Sequence, residues 1–250
     1  MCSHIWMSVS DIQVPPQSTG GPCEISVERL APGRPWTAVA IWAPALSLAP
    51  TVNPVEPQPP MPPDRTPNRL TRPTPADLIA ARRKTLPDLI APGLSILFCG
   101  INPGLYSAAV GYHFARPGNR FWPTLHRAGI TERLLTPALG RELLQYGCGI
   151  TDLVARSSAS ADELTTDELI SGRQHLVMKV KRYAPRCLAI LGLGAYQKAF
   201  GHRQATLGKQ SEQIGTTVVW VLPNPSGLNA HYQPPELARQ FRRLRDEFMT

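Results

Sequence analysis

Four short segments of the sequence combine glycine with side chains that can hold a ligand. They are GINPG (100–104), GYHFARPGNRFW (111–122), GITD (149–152) and LPNPSGLN (222–229). GINPG ends a short apolar run, and in α/β proteins ligand chemistry collects at such strand ends. Pro103 fixes φ and removes a donor, so the Asn102 amide is presented on a rigid turn and can orient a ligand or a water molecule. The alternative is an ordinary strand-to-helix turn in which Asn102 is a local cap.

The second and fourth segments indicate contact with a nucleic-acid base. An aromatic side chain in a loop can stack on a planar ring while nearby backbone groups bind the edge of that ring. The turn at 224–229 carries the apolar Leu228 on a glycine-bearing loop, and proteins that distort duplexes insert such apolar wedges between bases. Enzymes that act on a base must first extrude it from the stack. An ordinary buried leucine is the alternative for Leu228.

Alternating strand and helix patterns must position these segments. The apolar pattern predicts strands at 94–100, 149–154, 187–192 and 217–223. It predicts helices at 120–129, 137–146, 167–183, 195–200 and 235–249, with a capping box of Thr165 and Glu168 before the third. Strands separated by helices favour a parallel sheet that is covered on both faces. We therefore expect an α/β three-layer sandwich with a short, mostly parallel central sheet of about four strands.

The N-terminal third of the chain has a different character. Residues 1–86 hold 16 of the 27 prolines, which disfavours both helices and sheet ladders. The sequence predicts a Pro-rich disordered tail at 1–85, with a short basic helix at 76–84, followed by a folded domain at 86–250. The tail is expected either to be dispensable or to serve targeting or partner binding. Met61 is an alternative start position.

Composition narrows the classes of function. The formal net charge is +8 and the sequence pI about 9.6, which favours a polyanionic partner. The arginines of the last predicted helix contribute to this charge, and a solvated helix face is the alternative interpretation of them. The five cysteines form no CxxC pair and the six histidines are dispersed. We therefore expect a reduced, cytoplasmic protein with no metal, no cofactor and no membrane segment.

Three of these motifs together, GINPG, GYHFARPGNRFW and NPSGLN, resemble the mismatch-specific uracil/thymine-DNA glycosylases. These enzymes form the G:U/G:T branch of the uracil-DNA glycosylase superfamily. The likeness begins near residue 86 and extends through the last helix. It implies a uracil-DNA glycosylase-like fold and a monomer that binds double-stranded DNA containing G:U or G:T mispairs. It also implies removal of uracil, and of thymine or modified pyrimidines, as the first step of base excision repair, at the bacterial nucleoid.

The resemblance assigns roles to individual residues. Asn102 would position the water that attacks C1′ of the deoxyribose, and Phe114 would stack on the flipped base. Ile101 would meet the pyrimidine edge, and Ser107 would set the room for a 5-methyl group. The wedge would consist of Gly227, Leu228 and Asn229, with Asn224 and Ser226 holding phosphate or shaping that loop.

One residue departs from the pattern that the resemblance implies. Asp152, in GITD, stands where the closest bacterial relatives are expected to carry lysine. A carboxylate there is a candidate general base, which a neutral amide is not, and it would stabilise a cationic sugar. An exposed or salt-bridged aspartate is the alternative.

Two other functions remain open on the sequence. One is a broader uracil-DNA glycosylase that also acts on A:U pairs and single strands, and the other is a catalytically weak mismatch-binding module. A lyase step would need an amine nucleophile, and no lysine lies within the four segments. A monofunctional glycosylase with slow turnover is therefore the leading interpretation.

Overall fold

A computed structural model describes residues 71–227, 229 and 231–249 of the chain. The prediction of a disordered tail falls mostly on residues 1–70, outside the described residues, and so does Leu228. The described part includes a helix, α1 (Pro75–Ala80), that begins at a capping box of Thr74 and Asp77. Just after α1, the hydroxyl of Ser157 donates to the carbonyl of Ala81 at 2.5 Å, so this segment is tied to the residues that follow the second strand.

The centre of the domain is one five-stranded sheet with the order β2-β1-β3-β5-β4. Four strands are parallel, and β4 pairs antiparallel with β5. In chain order the strands are β1 (Ile96–Gly100), β2 (Cys148–Asp152), β3 (Cys187–Leu191), β4 (Gly208–Ile214) and β5 (Thr217–Leu222). The four parallel strands are those predicted, and β4 is an additional edge strand. β4 was not predicted because its sequence, GKQSEQI, is polar and shows no apolar face. The strand is buried only at its two ends.

Helices cover both faces of this sheet. They are α2 (Leu105–Val110), α3 (Phe121–Arg127), α4 (Thr166–Tyr183), α5 (Leu193–Phe200) and α6 (Pro234–Phe248), with 3₁₀ segments at Pro137–Tyr146 and Ala161–Glu163. The segment at 137–146, predicted as an ordinary helix, is therefore 3₁₀, and α2 was not predicted. Within the described residues, no helix combines the length and apolar character needed to cross a membrane.

Two hydrophobic clusters lie on opposite faces of the sheet. One joins α3 and α6 to inward side chains such as Phe98, and the other joins α4 and α5 to side chains such as Leu97. Because successive strand residues point to opposite faces, β1 contributes to both clusters and is buried throughout. This arrangement confirms the predicted α/β three-layer sandwich.

The arginines of α6 hold the neighbouring helix. Arg242 and Arg245 donate to the carbonyls of Arg127 and Ala128, at 3.1 and 2.8 Å, where α3 ends. Cations at a helix C-terminus satisfy free carbonyls and interact favourably with the helix dipole. These two arginines therefore have a structural role in addition to their charge.

Candidate active site

The GINPG turn is held by the chain segment that follows β2. Gly100 and Asp152 are paired where the parallel strands β1 and β2 end. Backbone bonds continue past the strands, with the N–H of Leu153 and Val154 donating to the carbonyls of Gly100 and Ile101 at 2.9 Å. The turn therefore has a fixed position beside residues 152–158.

The amide of Asn102 is held in one orientation. Its Nδ2 donates to the backbone carbonyl of Arg156 at 3.1 Å and to Oγ of Ser158 at 2.7 Å. Ser158 Oγ itself donates to the carbonyl of Ser160 at 2.6 Å, so it must accept from Asn102. A carbonyl only accepts, so both amide hydrogens are committed to these two acceptors. Oδ1 receives no hydrogen bond from the described residues and is left as a fixed acceptor.

The carbonyl that receives Asn102 is itself fixed by the start of α4. Arg156 binds both carboxylate oxygens of Glu168, at 2.5 and 2.8 Å. Glu168 also completes the predicted capping box with Thr165. The hydrogen bond from Arg156, followed by that from the Thr165 backbone, lowers the pKa of Glu168 to about 2. Arg156 therefore links the N-terminal cap of α4 to the side-chain amide of Asn102.

Phe114 lies next to Gly100, at the end of β1. Its φ is +53°, the left-handed region that non-glycine residues rarely adopt and that clusters at functional sites. Phe121 stacks on one face of its ring, with centroids 4.1 Å apart, so the opposite face is the one that remains for a planar ligand. A Cβ added to Gly100 would overlap Oδ1 of Asp152 and lie 3.4 Å from Cζ of Phe114. Phe114 and Asp152 therefore meet at Gly100.

Asp152 is paired with a histidine. Its Oδ2 lies 3.4 Å from Nδ1 of His113, and the two side chains are only 8% and 6% exposed. On the far side of the ring, Nε2 lies 2.9 Å from the carbonyl of Pro87. Burial lowers the pKa of His113, but the interaction with the Asp152 carboxylate outweighs it and leaves that pKa above its ordinary value. No hydrogen bond joins Asp152 to Asn102 in the described part of the chain.

Ser107 and Ile101 border this region in different ways. The buried hydroxyl of Ser107 accepts from the backbone N–H of Ala115 at 3.1 Å, next to Phe114. Ile101 lines a cavity of about 550 Å³ at the carboxyl ends of β3 and β5, together with Asn224 and Asn229. Asn102, Phe114 and Asp152 are not among the lining residues of that cavity, so the candidate catalytic groups lie beside it.

The turn at 224–229 is organised by its own polar groups and by Arg120. Asn224 Oδ1 accepts from the N–H of Ser226 at 2.9 Å, and Nδ2 of Asn229 donates to the carbonyl of Asn224 at 2.9 Å. The Arg120 guanidinium donates to the carbonyls of Ser226, Asn229 and Tyr232. The side chains of Asn224 and Asn229 therefore fix the shape of the turn, and its backbone carbonyls point toward the Arg120 guanidinium.

Gly227 lies against the loop between α2 and α3. A Cβ on it would overlap the carbonyl of Gly118, so only glycine permits this approach. The two loops, 111–122 and 222–229, are therefore in contact at Gly118 and Gly227. Leu228, the predicted wedge, lies outside the described residues, and its role stays a prediction.

The sequence patterns did not identify His113, Arg120 or Ser158 as candidate site residues. The first two lie inside GYHFARPGNRFW, and Ser158 follows GITD by six residues. Their partners are distant in sequence, so no local spacing signalled them. No cluster of three or more histidine, cysteine or acidic side chains that could hold a metal ion occurs among the residues described.

The fold and these residues agree with a comparison against protein families. The sequence model of the uracil DNA glycosylase superfamily matches residues 87–247, which is more than half of the 250-residue chain. The match covers all five strands, every segment of the site and the sheet edge at which they meet. Members of this superfamily are hydrolases that act on DNA in base excision repair. The chain belongs to the uracil DNA glycosylase superfamily.

Proposed function

We propose that the protein is a monofunctional DNA glycosylase specific for mispairs. It hydrolyses the N-glycosidic bond of uracil, and of thymine or modified pyrimidines, opposite guanine in double-stranded DNA. The observation that carries the proposal is the Asn102 amide, whose two hydrogens are committed to Arg156 and Ser158 and whose Oδ1 is left to accept from water.

The chemistry of the reaction fits such a group. Cleavage of the bond gives the sugar oxocarbenium-like charge, and water attacks C1′ while the bonding electron pair leaves with the base. Oδ1 of Asn102 accepts a hydrogen bond from that water and orients its lone pair. Fixed orientation is a large part of catalysis, but a neutral amide is a weak base. Slow turnover follows from this.

The base pocket in this proposal lies between Phe114 and the strand ends. The face of Phe114 that Phe121 leaves uncovered stacks on the flipped pyrimidine. Ile101 meets the edge of the base through its backbone and the neighbouring backbone, since its side chain packs with the α4–α5 cluster on the sheet face opposite Phe114. Ser107, which holds the backbone of Ala115, limits the space for a 5-methyl group. Phe114 is held by packing and by its loop, as a stacking platform requires.

Recognition of the mispair is assigned to the 224–229 turn. Gly227, Leu228 and Asn229 fill the gap left by the flipped base and contact the opposing guanine, with Asn224 and Ser226 shaping the loop. The support is the hydrogen-bond network that Arg120 completes around this turn. A G:U or G:T pair is already weakened, which reduces the cost of flipping.

Asp152 is proposed as the second catalytic group. The general-base role expected from the sequence requires its carboxylate to reach the attacking water. The geometry favours a role beside the base instead, because Oδ2 is taken by His113 and Oδ1 lies against Gly100, next to Phe114. Single-turnover excision by Asp152→Ala, compared with Asn102→Ala, tests whether this carboxylate acts in the chemical step at all.

The experiment that tests the proposed function is base release from four matched substrates. The substrates carry G:U, G:T, A:U and single-stranded U in the same sequence, with enzyme in excess. The expected order has G:U fastest. Excision of A:U as fast as G:U would refute mismatch selectivity and indicate the broader glycosylase. Binding without release from any substrate would indicate the mismatch-binding module.

A further inference from the structure

The His113–Asp152 pair is buried, and the mechanism above assigns no role to its histidine. Both side chains are more than nine-tenths buried, and they join the α2–α3 loop to the end of β2. His113 immediately precedes Phe114, and its own carbonyl accepts from Nε1 of Trp122 at 3.1 Å. The imidazole is therefore anchored at the point where Phe114 and Asp152 converge.

The hydrogen-bond partners of the ring decide its protonation state. The Pro87 carbonyl only accepts, so Nε2 must carry a hydrogen. In a neutral ring, Nδ1 would then present a lone pair to the Asp152 carboxylate across 3.4 Å. In an imidazolium, Nδ1 carries a hydrogen and faces its natural partner. The geometry thus fits a positively charged His113 that faces the Asp152 side chain.

Other charged groups surround the pair. Asp88, in the segment before β1, adds a second negative charge that favours the imidazolium. Lys179 of α4 binds Asp88 at 2.5 Å and partly neutralises it. A further titratable neighbour of Asp152 is the buried thiol of Cys99 on β1, whose pKa burial raises well above the ordinary value. Asp152 is therefore the dominant partner of His113.

We propose that His113 is a positioning residue of the base pocket, which holds the Asp152 carboxylate in place and cancels its charge. This inference rests on the proposed glycosylase function. The departing base gains negative charge as the bond breaks, and an unpaired carboxylate beside it would oppose that charge. When His113 is protonated, its pair with Asp152 carries no net charge and does not oppose the negative charge on the base. Excision accordingly requires protonated His113, and substrates whose base leaves as an anion depend on it most.

The test combines a structural and a kinetic measurement of the same ionisation. Histidine NMR titration of the full-length protein measures the pKa of His113, and single-turnover excision from G:U duplex is measured over the same pH range. The variants are His113→Gln, Asp152→Asn and the double variant. His126→Gln is the control, because His126 lies exposed on α3 and its ring nitrogen Nδ1 bonds the backbone carbonyl of Thr131, away from the site.

The expected results are specific for each variant. The pKa of His113 falls in Asp152→Asn, and the wild-type rate declines as pH rises through the pKa of His113. His113→Gln excises uracil about 10- to 100-fold more slowly near neutral pH and loses that pH-dependent decline. The double variant is faster than His113→Gln, because the unpaired carboxylate is gone. His126→Gln keeps the wild-type profile.

Several outcomes would overturn the inference. One is a His113→Gln profile that superimposes on that of the wild type, and another is an unchanged His113 pKa in Asp152→Asn. If His113→Gln fails to fold, the rate of the double variant and the titration of Asp152→Asn test the same two points. Absence of base release by the wild type from every substrate refutes the glycosylase itself, whereas an active wild type with an unaffected His113→Gln refutes only the role of His113.

Discussion

Replacing Ser158 by alanine removes one of the two acceptors that orient the Asn102 amide. The hydroxyl of Ser158 accepts from Nδ2 at 2.7 Å and donates to the Ser160 carbonyl at 2.6 Å. In Ser158→Ala, one amide hydrogen loses its acceptor, while the Ser160 carbonyl keeps the backbone N–H of Glu163 at 3.2 Å. The amide is then held only through the Arg156 carbonyl and can turn about its side-chain torsions.

The expected loss follows from the strength of one hydrogen bond. A buried bond contributes about 0.5–1.5 kcal/mol net, and an unsatisfied group costs about 1–3 kcal/mol. Asn102 is only half-buried, so water replaces part of the loss, and about 1–1.4 kcal/mol of orientation energy remains. At roughly 1.4 kcal/mol per factor of ten, excision slows about 5- to 10-fold.

Single-turnover release of uracil from G:U duplex, with enzyme in excess, measures this change without interference from product release. Ser158→Thr keeps a hydroxyl and should stay closer to the wild type. Ser211→Ala, on the exposed surface of β4, is the matched control for loss of a serine hydroxyl. If folded Ser158→Ala matched the wild-type rate within a factor of two, the orientation argument for Asn102 would be refuted.

Three further predictions concern the surroundings of the site. Arg120→Ala should raise the enzyme concentration needed for half-maximal excision from duplex more than it lowers the saturated rate, because the guanidinium that joins three carbonyls of the 224–232 segment is removed. Equal effects on both would contradict a role of Arg120 in the 224–229 turn. Gly100→Ala should slow excision at least tenfold, because the new methyl group overlaps the Asp152 carboxylate; a wild-type rate would show that the carboxylate is free to move. Since the pKa of His113 is raised in the folded state, its contribution to the free energy of unfolding is complete below pH 6.5 and is lost as pH rises through the folded-state pKa. Urea denaturation should therefore show a gap between wild type and His113→Gln that narrows on the alkaline side, and a gap independent of pH would be evidence against the ion pair.

The sequence predicted the sheet because its parallel strands carry the needed signal. The run before GINPG is buried at every position of β1, as a continuous apolar run in a central parallel strand should be. By contrast, β4 alternates polar residues along an edge and offers no such run. The helix α2 has six residues and starts at an uncapped glycine, so it also lacks a recognisable beginning.

The site was predicted where one segment carries its own chemistry and missed where two distant segments cooperate. Asn102 is recognisable from its turn alone. Its partners Arg156 and Ser158 lie 54 and 56 residues away, and only the parallel register of β1 and β2 brings them together. The same holds for His113 and Asp152. Register is set by packing of the whole sheet, which the spacing of residues in one segment does not specify.

The most direct measurement is single-turnover excision of uracil from a G:U duplex by Asn102→Ala, compared with the wild type. The variant should bind the duplex with nearly wild-type affinity but release uracil about 100-fold more slowly or worse, because nothing else described near the strand ends fixes the attacking water. A variant that binds normally and excises uracil within a few-fold of the wild-type rate would contradict the assignment of Asn102 as the residue that positions water.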